Sequence, residues 1–168
     1  MAYSVGDTVV YPHHGAAVVE SLQQRELKGE TKDYLVLRMT YGDLTLMVPT
    51  DSCDSVGIRE VVSDAQVAEV FAILESPETK AAKNWSRRFK ANQEKLRSGD
   101  IFQVAEVVRN LATRELGKGL SAGERRMLSK AKQILLSELS VALGTDEESA
   151  EEQINTVLAD AHGLAEAG

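Results

Sequence analysis

The feature that most constrains this chain is a change of hydrophobic period near residue 63, where short β-branched runs give way to helical stripes. Before that point Thr8-Val9-Val10-Tyr11, Ala16-Ala17-Val18-Val19, Tyr34 to Met39, Leu44 to Val48 and Ile58 to Val62 read as strands. Turn residues separate them: Pro12 and Gly15, Lys28-Gly29-Glu30, Tyr41-Gly42-Asp43, then Pro49 with Gly57. Strands this short and closely spaced can enclose a core only by bending, so the segment predicts a small SH3-like barrel. Alternation along Leu44-Thr45-Leu46-Met47-Val48 sends Leu44, Leu46 and Val48 to one face and leaves Met47 exposed.

After Ser63 the β-branched clusters yield to Ala, Leu, Glu, Lys and Arg. Asp64 is expected to cap a first helix that ends by Ser76-Pro77, because proline disfavours helical geometry in the residue before it. A linker over 77–83 precedes a second helix from about Asn84 to Arg97, stopped at Ser98-Gly99. Asp100 caps a third, with Val104, Val107, Val108 and Leu111 on its stripe and Gly117 and Gly119 at its end. Ser121 with Glu124 has the form of a capping box and opens a long helix carrying Leu128, Ala131, Leu135 and Leu139, ending near Gly144. Thr145-Asp146-Glu147-Glu148 caps a last helix with Ile154, Val157, Leu158 and Ala161, whose tail frays from about His162. The expected organisation is therefore α+β in two domains: a β domain over 1–63, an all-helical domain over 64–162, and a frayed tail over 163–168.

Charge sharpens the division. The chain carries a net charge of −7, which by itself argues against nucleic-acid binding. Residues 83–132, however, hold 13 basic and 5 acidic side chains, whereas residues 133–168 hold 8 acidic and none basic. The basic excess is thus confined to one helical stretch, where it can act as a patch. The acidic last helix reads equally as packed on the rest of the domain or as a solubilising tail.

Within that stretch Lys83-Asn84-Trp85-Ser86-Arg87-Arg88-Phe89-Lys90 sets the only tryptophan among cations. Cations release counterions from phosphates and an aromatic ring can stack on a base or wedge between steps, so the pair of residue types suits nucleic acid. Periodicity nevertheless places Trp85, Phe89 and Leu96 on one face with Arg87, Lys90 and Arg97 opposite, which favours a packed anchor over an exposed wedge. A second group, Arg125, Arg126, Lys130 and Lys132, starts at a helix N-terminus where free amides favour anions. It reads equally as a solvated face paired with Glu124 and Glu138.

No arrangement of residues suggests catalysis. His13-His14 sit on a turn and point apart, Cys53 has no partner identifiable in sequence, and Gly117, Gly119 and Gly123 do not match a phosphate-loop spacing. With one cysteine and three histidines neither a disulfide nor a metal site is expected, and no cofactor is implied. Lacking an apolar run of roughly 18 residues or a signal-like N-terminus, the chain is expected to be cytoplasmic, with no membrane partner.

Three segments together resemble one known family: Val5-Gly6-Asp7-Thr8-Val9-Val10-Tyr11-Pro12-His13-His14-Gly15, then Asn84-Trp85-Ser86-Arg87-Arg88, then Gly119-Leu120-Ser121-Ala122-Gly123-Glu124. They look like the CarD/CdnL transcription regulators, whose first domain is also similar to the polymerase-interacting domain of the transcription-repair coupling factor. The resemblance covers about residues 1–160. It implies a Tudor-like β domain that docks on the β subunit of bacterial RNA polymerase, and a helical domain that meets promoter DNA at the upstream edge of the transcription bubble. It makes Trp85 a wedge at the upstream fork that favours the open complex, and Arg87, Lys90 and Arg125 contacts to DNA backbone. Lys83, Arg88 and Lys130 join them as charged neighbours. Arg25 matches a polymerase contact position. Met47 departs from the pattern, since several relatives carry a basic residue there, so that docking is expected to be weaker or more apolar.

The expected function is therefore non-enzymatic: a monomer, on the nucleoid through RNA polymerase, that stabilises the open promoter complex without reading sequence. The competing expectation is a protein–protein interaction module without DNA contact, its basic helices complementing an acidic partner.

Overall fold

The computed structural model describes residues 3–12, 14–40, 44–78 and 84–163. It divides into two units, Met1–Val61 and Val62–Gly168. Lys83, His13, the turn at Tyr41-Gly42-Asp43, most of the expected linker and the end of the tail lie outside the described residues.

The first unit is one antiparallel sheet of five strands in the order β4-β3-β2-β1-β5. These are β1 (Thr8–Tyr11), β2 (Gly15–Leu27), β3 (Glu30–Met39), β4 (Thr45–Pro49) and β5 (Arg59–Glu60). A register shift between Val19 and Ser21 marks a bulge in β2, which bends the sheet around its core of Val9, Val19, Leu35, Leu37 and Val48. The central hairpin is much longer than alternation predicts, since β2 and β3 remain paired out to Leu27 and Glu30. Its outer half is exposed on both sides and so carries no apolar period; backbone pairing alone defines it there. The turn is two residues, with Lys28 at φ 54° and Gly29 at φ 81°. Two positive φ values match the right-handed twist of the flanking strands.

A segment expected only as a turn forms a 3-10 turn (Thr50–Ser52) and a short helix α1 (Cys53–Val56). Gly57 ends it at φ 91°, where an added Cβ would stand 3.2 Å from Pro12 Cγ. Cys53 is buried and its Sγ lies 3.6 Å from Pro49 O. Burial, with Asp54 beside it, pushes the thiol up, away from a reactive thiolate.

The second unit is built from five helices: α2 (Asp64–Glu75), α3 (Trp85–Arg97), α4 (Ile101–Gly117), α5 (Ala122–Leu143) and α6 (Glu147–His162). Ser63, not Asp64, caps α2, because Gln66 three residues on completes a capping box with it. The remaining caps, Asn84, Asp100, Ser121 and Asp146, fall at or beside the expected positions. One apolar cluster joins Val70 and Leu74 of α2, Val104 and Leu111 of α4, Leu135 and Leu139 of α5, and Ile154 and Leu158 of α6.

The acidic last helix is therefore part of the core, with Ile154 only 1% exposed, while Ala161 is exposed. His162, expected to fray, has its Nε2 2.8 Å from Leu74 O at the end of α2. Among the described residues no helix is long and apolar enough to cross a membrane.

Candidate nucleic-acid interface

The residues singled out in sequence gather at two helix starts. Asn84 caps α3 by accepting from the backbone N–H of Ser86 (2.8 Å) and Arg87 (3.3 Å), which places Trp85 in the first turn. Trp85 is 46% exposed, neither the core anchor that periodicity favours nor a free side chain. Its indole stacks on Phe89 at a centroid distance of 5.0 Å and 18° between planes. Its Nε1 donates to Glu124 Oε1 at 3.1 Å, so the one polar atom of the ring is satisfied while much of its surface meets solvent.

Glu124 sits in the first turn of α5 and is 3% exposed. Ser121 holds it reciprocally: Ser121 N donates to Oε1 at 3.2 Å, and Glu124 N donates to Ser121 Oγ at 3.2 Å. Burial alone would push this carboxyl up, but the Ser121 bonds, the indole N–H and the Arg88 guanidinium together hold it below the ordinary carboxylate value. Arg114 approaches from α4, its Nε 3.9 Å from Oε2.

Arg88 corrects one expectation. Expected among the DNA-facing cations, it is only 8% exposed and lies on the buried side of α3 with Asn92. The helical wheel explains this: residues 85, 88, 89, 92 and 96 share one arc, so the arginine next to the aromatic pair turns inward towards the Glu124 charge. Arg87 and Lys90 point outward and are exposed, as are Arg125 and Lys130 on α5. Trp85 and Glu124 join the first turns of α3 and α5, and Arg87 and Arg125 belong to those same two turns.

What seats α3 is a polar chain that sequence reasoning missed. Asn92 Oδ1 accepts from Asn110 Nδ2 (3.2 Å), and Asn110 Oδ1 accepts from Arg109 Nε (3.1 Å) and Nη2 (3.0 Å). Arg109 Nη1 then donates to Ser76 Oγ at 2.9 Å, beside the end of α2. No local pattern in the sequence singles these residues out; their convergence from three helices does.

In the first unit Arg25 lies on β2 opposite Lys32, and Met47 on β4 opposite Val36. Cross-strand partners point to the same side, and Lys32 and Val36 are separated by an even number of residues. Arg25 and Met47 therefore share one face of the sheet, the face opposite Leu35 and Leu37. Met47 is 37% exposed, as alternation predicts, and Thr45 beside it is exposed, whereas Leu44, just before the strand, is exposed and not turned inward. β4 is an edge strand, with no further strand beyond it among the described residues.

Residues 3–62 match the CarD-like/TRCF RID domain and residues 69–155 match the CarD C-terminal domain. The chain is 36% identical over 145 residues to the candidate transcription factor YdeB of Bacillus subtilis (strain 168), covering 86% of this chain and 95% of that protein. Two solved structures are similar to part of it. One is the solution NMR structure of the 72-residue N-terminal domain of Myxococcus xanthus CarD (28% identity, 36% of this chain, 84% of that chain, TM-score 0.30). The other is CdnLNt from Myxococcus xanthus (31% identity, 38% of this chain, 90% of that chain, TM-score 0.33).

A β unit of the RID type followed by a helical CarD-type unit defines the class: a two-domain transcription regulator that interacts with RNA polymerase. The chain belongs to the CarD/CdnL family.

Proposed function

We propose that this regulator docks on the β subunit of RNA polymerase through the sheet face that carries Arg25 and Met47, and holds the promoter open with Trp85 at the upstream fork. One observation carries the DNA half of the reading: the only tryptophan is half exposed, backed by Phe89 and with its N–H satisfied, so a base can cover its free surface without desolvating an unpaired donor. Arg87 and Lys90 on α3 and Arg125 and Lys130 on α5, all exposed, are the phosphate contacts of this reading, with Lys83 as a further candidate from the sequence. Arg88 is not part of this surface; it supports the tryptophan from below. Such contacts position the protein without reading sequence.

The mechanism is linkage. A protein that prefers the melted state shifts the equilibrium only by its differential affinity for that state, and an aromatic ring that stacks on an unpaired base supplies the difference. Base stacking contributes about 1–3 kcal/mol, equivalent to roughly a 5- to 150-fold shift towards the open complex. Weak affinity for free DNA follows, with the docked polymerase supplying local concentration. On the β unit, Met47 in place of a cation makes the contact more apolar, and the edge of β4, unpaired among the described residues, suits strand addition.

The test is the lifetime of open promoter complexes under competitor challenge, with and without the protein. A longer lifetime that reverts with Trp85→Ala, while polymerase binding persists, supports the reading. An unchanged lifetime with polymerase bound leaves an interaction module that makes no DNA contact.

A further inference from the structure

The ring of Trp85 is constrained from three directions. Asn84 fixes the backbone of the first turn, Phe89 covers one face of the indole, and Glu124 holds its Nε1 edge at 3.1 Å. These constraints are not equivalent. The torsion that turns an indole about its Cβ–Cγ bond is broad and roughly two-fold. A half-turn about that bond keeps the ring close to its original plane, so stacking on Phe89 tolerates either orientation. The Nε1 bond does not, because the half-turn carries the N–H to the other side. Glu124 cannot follow, being 3% exposed and already held through Oε1 by Ser121 N (3.2 Å) and Ser121 Oγ (3.1 Å).

We infer that Glu124 is the positioning residue for the wedge: its carboxylate selects one of the two indole orientations, and so decides which edge of Trp85 faces outward. This rests on the open-complex reading above. With one face stacked on Phe89 and the Nε1 edge bonded, the exposed remainder of the ring is left for a base, and the ring is ordered before DNA arrives. Preorganisation of this kind raises affinity by removing an ordering cost at the moment of binding. The same carboxylate serves α5 as the second half of its capping box, so the wedge and the start of the α5 helix share one acceptor atom.

The experiment uses the full chain and its single tryptophan as the probe. Acrylamide quenching and emission anisotropy are measured for Glu124→Ala, Glu124→Gln and Ser121→Ala, and open-complex lifetimes for the same variants with and without Trp85→Ala. Glu124→Ala is expected to increase quenching, lower anisotropy and shorten the lifetime about ten-fold, the lower end for a bond to a charged acceptor. Glu124→Gln, which keeps the acceptor oxygen, stays near the parent in all three. Ser121→Ala removes one of the two Ser121 bonds to Oε1 and keeps the backbone N–H, so it raises quenching less than Glu124→Ala. In the Trp85→Ala background Glu124→Ala has no further effect on lifetime. Unchanged quenching in Glu124→Ala overturns the inference, and so does equal quenching in Ser121→Ala and Glu124→Ala, or an equal loss of lifetime without the tryptophan. The quenching arm involves no DNA, so it stands apart from a failure of the wedge reading, which would show instead as a normal lifetime for Trp85→Ala alone.

Discussion

Trp85 Nε1 and Glu124 Oε1 meet at 3.1 Å across 39 residues of sequence, and this one bond joins the first turns of α3 and α5. It turns a tryptophan that periodicity would bury into one that is anchored at its polar edge, covered on one face by Phe89 and otherwise exposed. It also makes a carboxylate with a depressed pKa report on the position of the ring.

That carboxylate sets a pH dependence. Because folding lowers the Glu124 pKa, its contribution to stability is complete above the ordinary Glu value of about 4.3 and is lost as pH falls through the lower folded value. The charged groups facing it are Arg88 and Arg114. Native tryptophan emission should therefore be flat from neutral pH down to the ordinary Glu value and change only below it. Emission of Glu124→Gln should show no such step; a step that survives this substitution assigns the titration to another group.

Salt dependence measures the phosphate contacts. If Arg87, Lys90, Arg125 and Lys130 each neutralise one phosphate, binding to forked duplex beside polymerase should fall with a log–log salt slope of about −3.6. Arg125→Ala should reduce the slope by about 0.9, uniformly across sequences. Arg88→Ala, by contrast, should act through tryptophan quenching and stability, because the side chain is buried. Fluorescence anisotropy at several salt concentrations reads all of these.

Arg109 is the hub that seats α3. Arg109→Met removes the bonds to Asn110 and Ser76 and leaves Asn110 Oδ1 buried with the donors that served it gone. The expected cost is about 1–3 kcal/mol, as for leaving a buried acceptor unsatisfied. Thermal unfolding of the helical unit checks it; a loss under about 1 kcal/mol would mean that water replaces the guanidinium.

The last helix is structural. Ile154→Ala should destabilise the helical unit by about 2–5 kcal/mol, since Ile154 is buried against α5 and α2 neighbours in a single cluster. A chain ended after Gly144 should lose its cooperative transition, read by circular dichroism on heating.

Lys28 is the one described non-glycine residue with positive φ, at 54°. Lys28→Asn should stabilise the β2–β3 hairpin by up to about 1 kcal/mol, because asparagine tolerates the left-handed region better. Chemical denaturation of the full chain, followed by amide exchange in β2 and β3, measures this.

Much of the architecture was written in local patterns. The change of period near Ser63, the capping residues Asn84, Asp100, Ser121 and Asp146, and the stop at Gly144 each depend on a few consecutive residues, so their positions were legible. The outward position of Met47 followed from alternation in the same way. The outer half of the β2–β3 hairpin was not legible, because a two-stranded arm exposed on both faces has no apolar period to read. The short helix over Cys53–Val56 was hidden for a similar reason, one turn being too brief to show a stripe.

For the candidate site the division is sharper. The sequence by itself determined which residue types lie side by side: a tryptophan, a phenylalanine and cations in one turn, a serine and a glutamate in another. Tertiary structure alone decided their roles, since burial and hydrogen bonding depend on what the neighbouring helix presents. Arg87 and Arg88 are adjacent in the chain, yet a rotation of about 100° per residue sends one to solvent and the other to the Glu124 carboxylate. Glu124 was readable as the partner of Ser121 three residues away, but its bond to an indole on another helix depends on the packing of Phe89 and Leu96 on the core and on the polar chain through Arg109, Asn110 and Asn92, which together set α3 in place.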